Sequence, residues 1–243
     1  MFGQRLDPLI ADARMAMATG TRCQICGVLD AERHAAVLDA VKAVPRWTLV
    51  TRLGGRHVDL DADGMAKLLA AQQAEFHRRV RAEAELGFQY LYETYPLYDI
   101  WHRGRLREEA PLLCDLFERI NSPAFLDPMR EVLDRPDIAF ADGQLTRYRG
   151  GHFLTTHDDG VEGKNRIAAY VLTLSPEWRE EWGGVLEFYD DAGAACGRFV
   201  PRGNTLSLFQ VPQPHAVSEV RPDIEGERIS ITGWLRAGED PGP

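Results

Sequence analysis

The period of the sequence changes near residue 137, and this change constrains the fold more than any other feature. Beyond it, short alternating stretches at 144–149, 166–175, 184–189, 204–210 and 227–236 are broken by Gly, Pro and Asp, with no helical segment between them. Short strands joined by turns bury an apolar face by packing or closing on one another, as a sandwich, jelly roll or barrel. Before residue 137 the spacing is helical. His34, Val37, Leu38 and Val41 share one face after Asp30, which reads as a helix N-cap, and Met65, Leu68, Leu69, Phe76 and Val80 share another in a longer segment. Further helical patterns run through Leu112, Leu113, Leu116 and Phe117, then through Phe125, Met129 and Val132. Strands are predicted at 47–51, ended by Gly54-Gly55, and at 88–92. With no low-complexity linker and no internal repeat, the expected class is α+β in a single domain, 1–243. A mainly helical support region, 1–136, buttresses a β-core at 137–236.

Charge and cysteine usage narrow the function. Lys+Arg 28 against Asp+Glu 37 gives a net charge of -9, so nothing global favours phosphate backbones, and no nucleic-acid partner is expected. No apolar run approaches the roughly 20 residues of a membrane span. The N-terminal segment lacks the pattern of a signal peptide, so a cytoplasmic location without membrane partners is expected. Cys23-Gln24-Ile25-Cys26 is a lone CxxC in a segment that reads as a short strand, with no second pair to complete a zinc site; packing is its plainer role. Gly163-Lys164-Asn165 lacks the upstream Gly and following Ser/Thr of a P-loop, and no Gly-x-Ser-x-Gly elbow is present. The acidic residues within 177–181 read as a solvated turn.

The chemistry-bearing residues start at His157-Asp158-Asp159. Residues two apart on a strand share a face, so His157 and Asp159 can reach one metal, and His215 from another strand would complete a two-histidine, one-carboxylate set. Such a set leaves adjacent positions open on Fe(II) for a cosubstrate and O₂. His-Asp-Asp-Gly is also turn-like, which is the plainer reading of the motif alone. In the strand from Arg228 to Leu235, alternation puts Arg228, Ser230, Thr232 and Trp234 on one face. If that face lines a barrel mouth, Arg228 needs an anionic partner, either a protein carboxylate or a ligand. Gln144, Thr146 and Tyr148 share a face on a preceding strand, where Tyr148 is either core or a donor to a ligand oxygen.

Five blocks stand in an order that resembles the Fe(II)- and 2-oxoglutarate-dependent dioxygenases. They run from Tyr148 to Asp159, from Leu172 to Trp178, from Gly183 to Phe188, through Pro214-His215, and from Arg228 to Trp234. Within that family the chain is most similar to the prolyl hydroxylases, especially the ribosomal and hypoxia-sensing branch, over roughly residues 140–236. The resemblance implies a double-stranded β-helix, or jelly roll, holding Fe(II) through His157, Asp159 and His215. It further implies 2-oxoglutarate with its far carboxylate on Arg228, beside Tyr148 and Thr232, with Leu186 as an apolar wall and O₂ as the other substrate. Where the hypoxia-sensing enzymes place a tyrosine before the Trp178 block, this chain has Thr173. The implied activity is hydroxylation of a prolyl residue in a protein or peptide, releasing succinate and CO₂. A small-molecule or free amino acid hydroxylase of the same fold, or a non-catalytic β-helix binding module, are the alternatives.

Overall fold

A computed structural model describes residues 6–243. The first half holds helices α1 (Leu6–Thr19), α2 (Ala31–Lys42), α3 (Ala62–Ala66), α4 (Ala70–Ala84), α5 (Leu97–His102), α6 (Leu106–Glu109), α7 (Pro111–Ile120) and α8 (Pro123–Leu133). Interleaved with them are strands β1 (Arg22–Cys26), β2 (Thr48–Leu53), β3 (Arg56–Asp61) and β4 (Tyr90–Tyr95). After residue 137 come β5 (Ile138–Ala141), β6 (Gln144–Tyr148), β7 (Phe153–His157), β8 (Arg166–Thr173) and β9 (Leu186–Tyr189), with one 3-10 turn before β9. The chain then continues through β10 (Ala195–Phe199), β11 (Thr205–Gln210), β12 (His215–Val217) and β13 (Arg228–Ala237).

Local signals explain most of the helices. The Asp30 carboxylate accepts from the Arg33 N–H at 2.8 Å and starts α2. Proline opens both α7 and α8, where its fixed φ suits the first helical position and its missing N–H costs nothing. The longer helix expected through Met65 to Val80 is two helices, α3 and α4. The break is held by Gln73, whose amide donates to the Ala66 and Leu68 carbonyls, and by Gln72, which accepts from the Leu69 N–H. Leu69 is exposed as a result.

The strands join in the order β1-β11-β8-β13-β6-β4-β7-β12-β9-β10, with β5 on β13 and the β2–β3 hairpin on β4. Residues from β6, β8 and β13 line the same cavity as residues from β7, β9 and β12. The sheet therefore curls on itself, forming the jelly roll expected. Its outer face packs on α7 and α8 through Leu113, Phe117, Phe125 and Met129 against Leu145, Leu172 and Leu235; Tyr148, Val171, Leu186, Phe188 and Phe209 pack inside. Covered on both sides, β8 is buried from Ile167 to Thr173, which accounts for its unbroken apolar run.

The first half does more than buttress. β4 pairs with β6 through Glu93↔Arg147 and with β7 through Tyr90↔Leu154, and so bridges the two sides of the roll. β2 and β3 extend from it as a hairpin whose two-residue turn is Gly54-Gly55, both at positive φ as a tight hairpin turn requires. The CxxC of β1 places Cys23 in the core, where burial pushes its thiol up to about 12, and leaves Cys26 exposed.

Two stability predictions arise from the turns that frame the roll. Gly183 has φ +75, and a Cβ there would stand 1.9 Å from the Glu219 carbonyl oxygen. Gly183→Ala is expected to cost about 2 kcal/mol or more in a denaturant titration; an unchanged midpoint would show that the turn can shift freely. His152, between β6 and β7, is 6% exposed, and burial, reinforced by nearby cationic groups, pushes its imidazole down from 6.5 to about 3. The unfolded chain then binds a proton that the folded chain refuses. The stability held by neutral His152 is complete above pH 6.5 and is lost at about 1.4 kcal/mol per pH unit as pH falls from 6.5 toward 3. In paired urea titrations, His152→Gln is expected to flatten that acid slope, and parallel slopes would remove the assignment.

Candidate active site

His157 closes β7 and His215 opens β12, and the two are cross-strand neighbours in the ladder. Their rings lie 4.1 Å apart between centroids. Asp159 joins them by a different route from the strand alternation expected. β7 ends at His157, and Asp159 sits two residues beyond in a turn with φ +62, where Asp158 faces solvent and accepts from the Gly160 N–H. Arg166 holds this turn: one guanidinium nitrogen donates to the Asp159 carbonyl at 3.0 Å while the group lies 3.5 Å above the Trp234 ring. The turn-like and metal-ligand readings of the motif thus describe one conformation.

The donor set suits a divalent metal. One ligand atom from each of His157, Asp159 and His215 lies within 4.8 Å of the others. Nδ1 of His157 is 3.1 Å from the Thr155 carbonyl and Nδ1 of His215 is 2.7 Å from the Gln213 carbonyl. Carbonyls only accept, so both Nδ1 atoms carry hydrogen and both Nε2 atoms present lone pairs. Those lone pairs face the Asp159 carboxylate, at 3.3 Å from His157 and 3.5 Å from His215. Two lone pairs and a carboxylate aimed at one another are favourable only around a cation. Burial pushes the His215 imidazole down to about 4, so His215 is neutral as a ligand must be.

The three residues line a cavity of about 230 Å³. Arg228 lines it too, 3% exposed, with its guanidinium 4.9 Å over the Tyr148 ring. Its Nε has no hydrogen-bond partner, and among the described residues no carboxylate lies within 4.0 Å of it. Of the two partners open to Arg228 in the sequence, a protein carboxylate is therefore not supplied. An enclosed cation without a counter-charge is costly, and a carboxylate-bearing ligand would relieve it. Leu186, Tyr148 and Thr232 line the same space, the Thr232 hydroxyl 3.2 Å from that of Thr146, which is 3.0 Å from Ser230 Oγ. Gly184, at φ +66, lets the chain pass close to Arg228, where a Cβ would stand 3.1 Å from its Cδ. Thr173 is buried between β13 and β11, outside the cavity lining, whereas Val171 and Ala169 of the same strand line it.

All seven residues singled out in the sequence, Tyr148, His157, Asp159, Leu186, His215, Arg228 and Thr232, line this one cavity. Sequence reasoning missed one wall. Phe88, Tyr90 and Tyr92 form an aromatic ladder from mouth to floor: Phe88 is 5.5 Å from His157 and 5.5 Å from Tyr90, and Tyr90 is 5.8 Å from Tyr92. Tyr92 stacks on Tyr148 at 5.2 Å. Burial pushes the Tyr92 hydroxyl up to about 12. The signal was present as aromatics at alternate positions of the strand predicted at 88–92.

Comparison with known proteins places this geometry. The sequence profile of the 2OG-Fe(II) oxygenase superfamily matches residues 143–236. The chain is 42% identical over 89 residues to the prolyl 3-hydroxylase OGFOD1 of Xenopus laevis, covering 34% of this chain and 17% of that protein. It is 35% identical over 101 residues to the mouse protein of the same name, covering 39% of this chain and 18% of that one. The match thus spans less than a fifth of either relative's length. In fold, it is similar to a Pseudomonas putida prolyl-4-hydroxylase, with TM-score 0.59 and 16% identity over 95% of this chain and 100% of the other. It is also similar to a Trichoplax adhaerens prolyl hydroxylase solved with a hypoxia inducible factor peptide fragment, with TM-score 0.61 and 17% identity over 96% and 91%. Residues 143–236 are thus similar in sequence to the 2OG-Fe(II) oxygenase superfamily, and the chain as a whole is similar in fold to prolyl hydroxylases.

Proposed function

We propose that this protein is an Fe(II)- and 2-oxoglutarate-dependent dioxygenase that hydroxylates a prolyl residue in a protein, with release of succinate and CO₂. The observation that carries this reading is the two-ended cavity: a cluster of lone pairs around a cation-sized centre and a buried guanidinium without a counter-charge share one enclosed space. His157, Asp159 and His215 would hold Fe(II), and Arg228, with Tyr148 and Thr232 beside it and Leu186 as a wall, would hold the far carboxylate of 2-oxoglutarate. Bound there, Fe(II) and 2-oxoglutarate would supply the oxidising power for a reaction that puts one oxygen atom of O₂ into succinate and the other into a substrate C–H bond. The chain's own residues orient the ligands and line the site. The Thr155 and Gln213 carbonyls fix the imidazole tautomers, Arg166 fixes the Asp159 turn, and the aromatic ladder supplies an apolar wall beside the metal ligands.

The prolyl assignment draws on the named relatives, one group called prolyl 3-hydroxylases and one fold neighbour solved with a peptide fragment. We read residues 1–243 as one domain, because β4 of the first half is hydrogen-bonded to both β6 and β7. No helix among the described residues is long and apolar enough to cross a membrane, and a cytoplasmic site of action is part of this reading. Incubation with Fe(II), 2-oxoglutarate, labelled O₂ and lysate proteins is expected to place label on proline in a discrete peptide. Label confined to free amino acids or small metabolites would replace the prolyl reading with a small-molecule one, and absence of any succinate would remove the oxygenase reading.

A further inference from the structure

At the cavity mouth, three side chains from two strands are linked in series. His57 and Asp59 lie two apart on β3, so they share a face, and His57 is the cross-strand neighbour of Arg52 on β2, which pairs in turn with β4. The His57 ring bridges the gap: Nε2 is 2.9 Å from the Asp59 carboxylate and Nδ1 is 2.6 Å from the Tyr90 hydroxyl. Tyr90 lines the cavity, between Phe88, which packs on His157, and Tyr92.

The polarity of this chain follows from donor counting. A carboxylate only accepts, so the Asp59 contact puts the hydrogen on Nε2 of His57. With its single hydrogen on Nε2, the ring offers a lone pair at Nδ1, and the Tyr90 hydroxyl donates to it. A phenol has one hydrogen. With that hydrogen committed to His57, the Tyr90 oxygen has only lone pairs left, and any group that meets it from the cavity must be a donor. Peptide carbonyls are turned away from this point and N–H groups are selected. Proline in a peptide has no N–H, so the first backbone donor beyond the target ring belongs to the next residue.

We propose that Tyr90 is a substrate-positioning residue that accepts a hydrogen bond from the peptide N–H following the target proline, and that Asp59 and His57 fix it as an acceptor. The proposal rests on the prolyl reading above and deepens it. The Tyr90 lone pairs would then fix the backbone beside the target ring at the wall of the cavity that Phe88, Tyr90 and Tyr92 line.

The test uses the full chain with the shortest proline peptide that the lysate experiment yields, and with its analogue carrying an ester oxygen in place of the N–H after the target proline. The parent protein is expected to show a KM about tenfold higher for the ester, the order of one hydrogen bond. Tyr90→Phe is expected to show no difference between the two, with its loss falling on KM rather than kcat. Equal KM values for the parent, or discrimination retained in Tyr90→Phe, would overturn the proposal. A second readout needs no turnover: nitrogen NMR of histidine-labelled protein at pH 8, with His57 assigned by its absence from His57→Gln, is expected to show the Nε2–H form. The Nδ1–H form would make Tyr90 an acceptor from His57 and free its own hydrogen for the cavity, which also overturns it. Failure of the prolyl reading is seen separately, as no labelled proline before either peptide is made.

Discussion

A His157→Ala protein is expected to form no Fe(II)-dependent succinate above background while keeping its fold. The expectation follows from what the site loses. Three donors surround the centre, and removal of one leaves a single imidazole and one carboxylate to hold a metal that also has to carry a bidentate cosubstrate and O₂. His157 is the cleanest of the three to remove. Its side chain is 19% exposed against 5% for His215, so truncation opens less of the interior, and its β7 backbone pairing with His215 does not depend on the ring. Far-UV circular dichroism and the urea midpoint would report the fold, and succinate release the chemistry. Asp159→Ala and His215→Ala are expected to fail in the same assay. A His157→Ala protein that decarboxylates 2-oxoglutarate at the parent rate would remove the metal assignment, and with it the proposed function.

How far the site could be read from sequence depended on how local each feature is. Arg228, Ser230, Thr232 and Trp234 were placed on one face by alternation along a single long strand; Arg228, Thr232 and Trp234 line the cavity, while Ser230 is buried behind it against the Thr146 hydroxyl. Asp159 was reached by the same argument, yet it sits in a left-handed turn past the strand end, because a five-residue strand is too short to carry the HxD motif. β3 was not seen: its residues are largely exposed, so it lacks the apolar face on which strand prediction relies. β12 has three residues, too few for any period. The strand at 88–92 was legible, but its position next to β6 and β7 was not, since that pairing joins residues 50 to 64 positions apart and no local pattern encodes the partner. Tyr90 and Tyr92 were missed as site residues for this reason alone. The break between α3 and α4 was hidden because Gln72 and Gln73 hold it with hydrogen bonds, while the apolar spacing runs straight through.

Arg228→Met is expected to move stability and cosubstrate affinity in opposite directions. The Arg228 guanidinium is buried with an unpartnered Nε and, among the described residues, no carboxylate within 4.0 Å, and burial pushes its pKa down. Methionine fills a similar volume beside Tyr148, Leu186 and Val217 without a charge to desolvate, so the variant is expected to gain on the order of 1 kcal/mol or more, a rise of a few degrees in Tm. The same change removes one partner of a charge pair formed on binding. Such a loss costs about 2–5 kcal/mol, so 2-oxoglutarate affinity, titrated with redox-inactive Mn(II) in the metal site, is expected to fall at least about thirtyfold. Arg228→Lys keeps the charge and loses the planar fork, and is expected to lose affinity without gaining stability. Only the parent should then be raised in Tm by added 2-oxoglutarate at concentrations that leave Arg228→Met unbound. Misfolding cannot imitate this pattern, because it would lower stability and affinity together. An Arg228→Met protein that melts below the parent and still takes up 2-oxoglutarate with parental affinity would place the carboxylate anchor elsewhere in the cavity and leave the buried arginine as a structural group.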